Sequence, residues 1–426
     1  MDSIRGTVRD LRRDTRSALL WSLYFNQPRT RKELSEATGL SQASVSNVVR
    51  ELIDEGIAVE AGSIDSDGGR PRVLLEINPD YGYVIGVDIG ETRVQVGLFD
   101  LAMRERATAD YRLNPSEHEV GIVVEGIQKG LSAVLADSGV GPAAVLGVGV
   151  GVPGIVEQGP EALVHGQTFG WDAVPLERLL RAGTELPLQF ENCAKTMGQA
   201  ELWFGAGQGA RNAAVMLVGS GVGASLISGG SIYRGATSSA GEWGHTTIVL
   251  GGRACRCGSR GCLEAYVGAE AILERYGQPV PDGDEESALA ALTDAAGSSP
   301  LAAAILDETV GYLGAGIASL INLLNPERVI LGGWAGQLLG GRMLPGIQEA
   351  ARQHALRHPY AETTIELGRL GPEAMTLGAA TLPVERFLNS ALHGVRARAA
   401  VGQPAFGRRS RGNTPLTLTD PGRLSA

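Results

Sequence analysis

Between Gly241 and Glu264 the chain reads GEWGHTTIVLGGRACRCGSRGCLE. Cys255, Cys257 and Cys262 fall within eight residues, and His245 stands nine intervening positions upstream. One imidazole and three thiolates make a closed four-ligand set that suits zinc, a borderline-soft ion with no geometric preference of its own. Gly258 and Gly261 sit where the backbone must turn sharply to bring the sulfurs to one ion. Four protein ligands leave no open position for water, so the expected zinc is structural, not catalytic. The same loop carries two carboxylates, Glu242 and Glu264, which such a metal would hold in place for something else. The competing possibility is a set of unrelated reduced cysteines beside a solvent histidine, and the tight spacing argues against it.

A second constellation lies near the N-terminus. TRKELSEATG reads as a short helix with Leu34 and Ala37 inward, Gly39 breaks it, and Ser41 offers a hydroxyl cap for the next helix. That helix puts Val45, Val48, Val49, Leu52 and Ile53 on one face. Gln42, Ser44, Ser46, Asn47 and Arg50 are left on its outer side. Amide and guanidinium groups displayed this way can read base edges in a major groove. IAVEAGSIDSDGGRPRVLLEINP then reads as two strands around a glycine-rich tip bearing Arg70 and Arg72, which completes a winged helix-turn-helix pattern. An Arg-tipped wing reaches phosphates or a narrow minor groove. The bland alternative is a small helical bundle that binds protein. Upstream, Leu11, Ala18, Leu19 and Leu23 recur at helical spacing and predict a packing helix from Asp10 to Phe25.

Composition narrows the setting. Acidic residues outnumber basic ones, 47 to 37, so nucleic-acid contact must come from a local patch and not from a global field. No run of 18 apolar residues occurs and the opening MDSIRGTVRDLRRD is charged, so no membrane partner is expected. The expected compartment is the cytoplasm, where clustered reduced cysteines mean metal more often than disulfide.

After Asn78-Pro79 the chain turns to glycine-rich strands. VIGVDIG followed by TRVQVGLFD gives two strands around a tight turn carrying Asp88, the opening hairpin of an actin-like phosphotransferase fold. AVLGVGVGVPGIVEQG adds a buried strand that runs into a Pro-Gly loop, and LPLQFENCAKTMGQAELWFG gives a strand, the turn Glu191-Asn192-Cys193 and a helix. AAVMLVGSGVGASLISGGSIYRG repeats the strand, turn and strand logic, as a second lobe would. Residues 301 to 324 predict a long helix, RVILGG another strand, and PDGDEES an acidic surface loop. From about Ser390 the periodicity is lost and Arg, Gly and Pro predominate, which predicts a disordered tail.

GEWGH with the CxCGxxGCLE run, VDIGET, GVPGIV, FENC, VGSGVGA and VILGG together resemble the ROK family of sugar kinases and sugar-responsive repressors. The match covers about residues 81 to 388, and the added winged helix resembles the xylose-repressor-like branch. The resemblance implies an α/β fold: an actin-like (ribonuclease H-like) two-lobed ROK domain at 81–389 behind an α+β winged helix-turn-helix domain at 1–80. Lobe I would take about 81–190 plus 372–389 and lobe II about 191–371, with 390–426 as the tail. Asn192, Glu242, His245 and Glu264 match the family's sugar-contacting positions, and hydroxyls suit such a mixed set of donors and acceptors.

Two departures from the kinase pattern stand out. The family's base is an aspartate, and here that position is Cys193, whose unperturbed thiol, with a pKa of about 8.5, is a poor base near pH 7. Glu91 replaces the second glycine of the phosphate turn and Arg93 its lysine. Both oppose phosphoryl transfer, so no catalytic residue is assigned. The expectation is a transcriptional regulator, a repressor of carbohydrate genes, that binds double-stranded operator DNA and a sugar or sugar-phosphate effector as a homodimer or tetramer. A sugar kinase with an attached DNA-binding domain and a ligand-blind DNA-binding scaffold are the alternatives.

Overall fold

The computed structural model describes residues 8–65, 71–113, 119–280 and 284–389, all within one compact unit that spans Met1–Leu392. The first helix runs Val8–Asn26, followed by Arg31–Thr38 and Gln42–Asp54. Strands Ala58–Ile64 and Arg72–Ile77 then pair antiparallel, with Arg29–Thr30 on the far side of the second. The helix boundaries follow from side-chain chemistry. Thr30 and Glu33 form a reciprocal capping box, Gly39 ends that helix in the left-handed region, and Ser41 accepts from the Ser44 N–H to start the next. Val45, Val48, Val49 and Leu52 are buried with Leu19, Leu20, Leu23 and Leu34. Two inward positions differ from expectation: Ile53 is only partly covered and Ala37 is exposed. Leu34 is the one buried residue of that eight-residue helix. The side chain of Leu11, the wing-tip Arg70 and the tail from 390 lie outside the described residues.

Only the short link through the turn Pro79–Tyr81 separates this unit from strand Tyr83–Ile89. That strand pairs antiparallel with Arg93–Asp100, which pairs with Glu105–Arg112. On its other side it pairs parallel with Val145–Val152, which pairs parallel with Leu188–Asn192. The second five-stranded sheet repeats this plan. Ala213–Val218, Val222–Ser228 and Ser231–Ile232 form the meander, and Arg328–Gly332 and Thr364–Leu367 are the parallel additions. Two sheets of identical connectivity are the duplicated lobes of an actin-like fold.

Two helices fill the junction between the lobes, Cys193–Phe204 and Ala374–Asn389. The second lies directly on the first sheet: a Cβ at Gly86 would come 1.8 Å from the Thr376 carbonyl oxygen, and one at Gly149 1.8 Å from that of Ala379. Helix Pro300–Leu324 is long and apolar enough to span a bilayer by length and composition alone, yet its face from Ile305 to Ile321 sits in the core of the second lobe. The PDGDEES segment is not simply a surface loop. Asp284 caps helix Glu285–Ala295 by accepting from the Ser287 N–H at 3.0 Å, and residues 281–283 lie outside the described residues.

Candidate functional site

Parallel strands deliver their carboxyl ends to one edge of a sheet, where ligands of open α/β folds gather. Here strand Tyr83–Ile89 brings Asp88, Val145–Val152 brings the Pro153-Gly154 loop, and Leu188–Asn192 brings Asn192, all to one cleft of about 1460 Å3. Gly154 is obligatory at its place: its φ is +105° and a Cβ there would meet the His165 carbonyl oxygen at 2.2 Å. The second lobe supplies the turn Gly219-Ser220-Gly221, Glu242, His245 and the cysteine loop.

The structure brings His245, Cys255, Cys257 and Cys262 together, with their ligand atoms all within 4.8 Å of one another. Cys255 Sγ lies 3.7 Å from His245 Nδ1, and Cys257 Sγ lies 3.7 Å from Cys262 Sγ. Ligands about 2.0 to 2.3 Å from a tetrahedral zinc stand roughly 3.5 to 3.8 Å apart, so the donor set fits that ion. The loop backbone turns as tightly as such a site demands. Gly261 has φ +79°, and a Cβ there would come 1.7 Å from the Val249 carbonyl oxygen. Burial pushes the thiols of Cys255 and Cys262 up, so a cation is what would hold them as thiolates.

All four sugar-position residues, Asn192, Glu242, His245 and Glu264, line the cleft. They are not equally available. Asn192 Oδ1 accepts from the Lys195 N–H at 3.2 Å, capping helix Cys193–Phe204, while its Nδ2 donates to the Gly154 carbonyl at 2.8 Å. Glu264 is 6% exposed, and both its oxygens are engaged: Oε2 accepts from the Val222 N–H at 2.9 Å and Oε1 from Arg256 Nε at 3.0 Å. Burial raises the Glu242 carboxyl above its usual range.

Arg256, between two of the cysteines, is the residue that sequence reasoning missed. Its Nη1 and Nη2 grip Glu91 of the first lobe in a bidentate pair at 2.8 and 2.9 Å, and Nη1 also reaches Glu270 at 3.1 Å. The pair lies against the glycine turn: a Cβ at Gly221 would meet Arg256 Nη2 at 2.4 Å and Glu91 Oε1 at 3.4 Å. Arg93 makes a second link across the cleft, to Glu286 at 3.5 Å, and also pairs with Asp110 of the adjacent strand in its own sheet at 3.5 Å. Glu285, which accepts from the Ser220 hydroxyl, was also overlooked, because its acidic run looked like a solvent loop. Burial, then the neighbouring Asp88 and Glu242 carboxylates, push the Cys193 thiol far above the ordinary range. Lys195 is 2% exposed and donates from Nζ to the Ser238 carbonyl at 2.6 Å.

In the N-terminal domain Gln42, Asn47 and Arg50 are exposed on one helix, with Ser44 and Ser46 partly covered. The Ser44 hydroxyl lies 2.9 Å from that of Ser41 within the helix cap. Arg72 is exposed at the start of its strand.

A family profile described as ROK matches residues 84–386. The xylose repressor of Caldicellulosiruptor bescii is 30% identical over 386 residues, covering 87% of this chain and 95% of that protein. A glucokinase of Halalkalibacterium halodurans is 29% identical over 314 residues, but these are 70% of this chain and 94% of the kinase. Among solved structures, a ROK family transcriptional regulator, a homologue of the Escherichia coli MLC protein, superposes with a TM-score of 0.73. It covers 89% of this chain and 98% of that one at 23% identity.

Proposed function

Since the chain belongs to the ROK family, we propose that it is a sugar-responsive, DNA-binding transcriptional repressor of carbohydrate genes. The observation that carries this is the extent of the similarity. The match to a xylose repressor runs through nearly the whole of both proteins, whereas the glucokinase is used up on part of this chain. What the kinase match leaves over is room for a DNA-reading unit.

In this proposal the helix Gln42–Asp54 enters the major groove with Gln42, Ser44, Ser46, Asn47 and Arg50, and Arg72 reaches the backbone with its neighbour Arg70. A sugar binds in the cleft at Asn192, Glu242, His245 and Glu264. Glu242 reads it directly, Asn192 with the second proton of Nδ2, and Glu264 with the lone pairs that the Val222 N–H and Arg256 leave. Zinc at His245, Cys255, Cys257 and Cys262 supplies a fixed cross-link that keeps this loop ordered. The protein acts in the cytoplasm as a homodimer or tetramer, whose paired reading helices set the half-site spacing.

The chain is not a working kinase in this proposal, for two reasons beyond the missing aspartate. A thiol held neutral by burial accepts no proton from a sugar hydroxyl. The glycine turn that would receive phosphate is occupied by the Glu91 to Arg256 pair, and eight carboxylates against three guanidiniums line the cleft. The similarity to a glucokinase keeps a kinase with an attached DNA-binding domain as the second reading, and it requires ATP turnover with a hexose.

The test is operator binding on DNA from the protein's own promoter region, titrated with free and phosphorylated sugars. Release by one of them is expected. Arg50→Ala should weaken operator binding roughly 5- to 150-fold, about 1 to 3 kcal/mol, with sugar affinity unchanged. Operator binding that no sugar alters, or no binding accompanied by ATP turnover, would sink the proposal.

A further inference from the structure

One hydrophobic core joins the DNA-reading unit to the hinge between the lobes. Leu19, Leu20, Leu23, Val45 and Leu52 of the former belong to the same buried cluster as Met197, Trp203, Ala380 and Leu388 of the latter. Met197 also lines the ligand cleft. Helix Cys193–Phe204 therefore touches both places, and its construction leaves it little freedom to bend.

Its first end is the cleft. Asn192 caps it and is simultaneously fastened to the Gly154 carbonyl across the strand ends. Every residue from Ala194 to Trp203 is buried. Backbone contact is close on both sides: a Cβ at Gly378 would lie 2.2 Å from the Thr196 carbonyl oxygen, and one at Gly198 would lie 2.2 Å from Ser225. Near the other end Glu201, 2% exposed, accepts from the Ala206 N–H through Oε2 at 2.7 Å and from the Arg369 and Leu370 N–H groups through Oε1 at 2.9 and 3.2 Å. Twelve helical residues span about 18 Å. A close-packed rod of this kind moves as a body and passes displacement from end to end.

Its second end is aromatic. Trp203 presents its ring edge-on to Trp21 at 5.5 Å, Phe25 at 5.0 Å and Tyr24 at 6.4 Å, all on the first helix of the DNA-reading unit. Trp21 stacks on Phe25 at 5.4 Å and donates from Nε1 to Asn389 Oδ1 at 2.9 Å, and the Ser17 hydroxyl donates to the Leu388 carbonyl. On the same helix Arg16 is 5% exposed and pairs with Glu55 at the C-cap of the reading helix. A shift of Trp203 thus has a packed route to the residues that face DNA.

We propose that helix Cys193–Phe204 is the rod that carries sugar occupancy at Asn192 to the DNA-reading unit, with Trp203 as the positioning residue at the contact. This rests on the sugar-responsive repressor reading. The physical content is a coupling: the sugar prefers one seating of the rod, operator DNA prefers the other, and Trp203 makes the two preferences mutually exclusive.

The experiment measures operator affinity with and without saturating D-xylose, D-glucose and N-acetyl-D-glucosamine, and sugar affinity by calorimetry, for four proteins: wild type, Trp203→Ala, Trp203→Phe and Trp21→Ala. With the sugar that acts on wild type, the ratio of operator affinities should fall to within about twofold of unity in Trp203→Ala, from the roughly 5- to 150-fold typical of allosteric pairs. Sugar affinity and sugar-free operator affinity should each stay within about threefold of wild type. Trp21→Ala, which trims the contact from its solvent side and leaves the body's core intact, should lose the ratio likewise. Trp203→Phe should keep most of it, because an edge-on ring remains. A wild-type ratio in Trp21→Ala or Trp203→Ala overturns the rod. A wild-type protein that responds to no sugar overturns the repressor reading itself, and the two failures are read from different samples.

Discussion

The carboxyl of Asp88 offers a stability experiment whose size can be worked out. It is buried in the cleft edge of the first sheet, its Oδ1 meets no hydrogen-bond partner among the described residues, and burial raises it to about 7 in spite of Arg93. In the unfolded chain it titrates near 4. Between those values the native state binds the proton that the unfolded state has released, so stability falls as pH rises from about 4 to about 7 and is level beyond. Three units at about 1.4 kcal/mol each put the full penalty at roughly 4 kcal/mol by pH 8, against about 1.5 kcal/mol at pH 5. Asp88→Asn removes the titration. Its packing is the same at both pH values, and the attraction of Arg93, which acts only on the ionised carboxylate, is already contained in the native value, so the difference between variant and wild type isolates the proton. That difference should grow in favour of Asn by roughly 2 to 3 kcal/mol from pH 5 to pH 8, followed by urea midpoints at constant zinc. A difference that stays flat to within about 0.5 kcal/mol would refute the argument and mean that Asp88 is hydrated or paired in the cleft.

Two other perturbations address different links. Zinc removal by Cys262→Ser or by chelation should abolish metal content and the sugar response while leaving operator binding; an unchanged sugar response after verified loss of metal would remove its ordering role. Gly86→Ala should lower the unfolding free energy by about 2 kcal/mol or more, because its Cβ would enter the Thr376 carbonyl, whereas Gly311→Ala, inside helix Pro300–Leu324 with nothing within 4 Å, should gain about 0.5 to 1 kcal/mol. Equal effects of the two in chemical denaturation would show that helix Ala374–Asn389 does not sit on the first sheet as described.

The features legible in the sequence are those written in nearby residues. The cysteine spacing, the apolar face at Val45, Val48, Val49 and Leu52, and the hairpin after VIGVDIG are local patterns that form, although Asp88 lies within the strand, opposite Gln95, and the turn itself is Gly90-Glu91-Thr92. What escaped was set by pairs far apart in the chain. Glu91 meets Arg256 across 165 positions, and Ser220 meets Glu285 across 65. Arg256 looked like an ordinary loop cation because nothing in its neighbourhood of the sequence names a partner. Glu264 lines the cleft, and only the fold reveals that the Val222 N–H and Arg256 also bond to its two oxygens. Ala37 misled for a local reason: it sits in an eight-residue helix whose one buried residue is Leu34.

The aromatic contact of Trp21, Tyr24 and Phe25 with Trp203 also bears on engineering. A DNA reader on a slack tether can be cut off and spliced to another sensor as a cassette. Here the splice would leave half of an interface on each side, exposing Trp203 on the donor body and an aromatic face on the transplanted helix. A working chimaera must therefore bring along the far end of Cys193–Phe204 and Asn389, or rebuild their counterparts on the new host. Operator choice and effector choice in this protein are exchangeable only as a matched set.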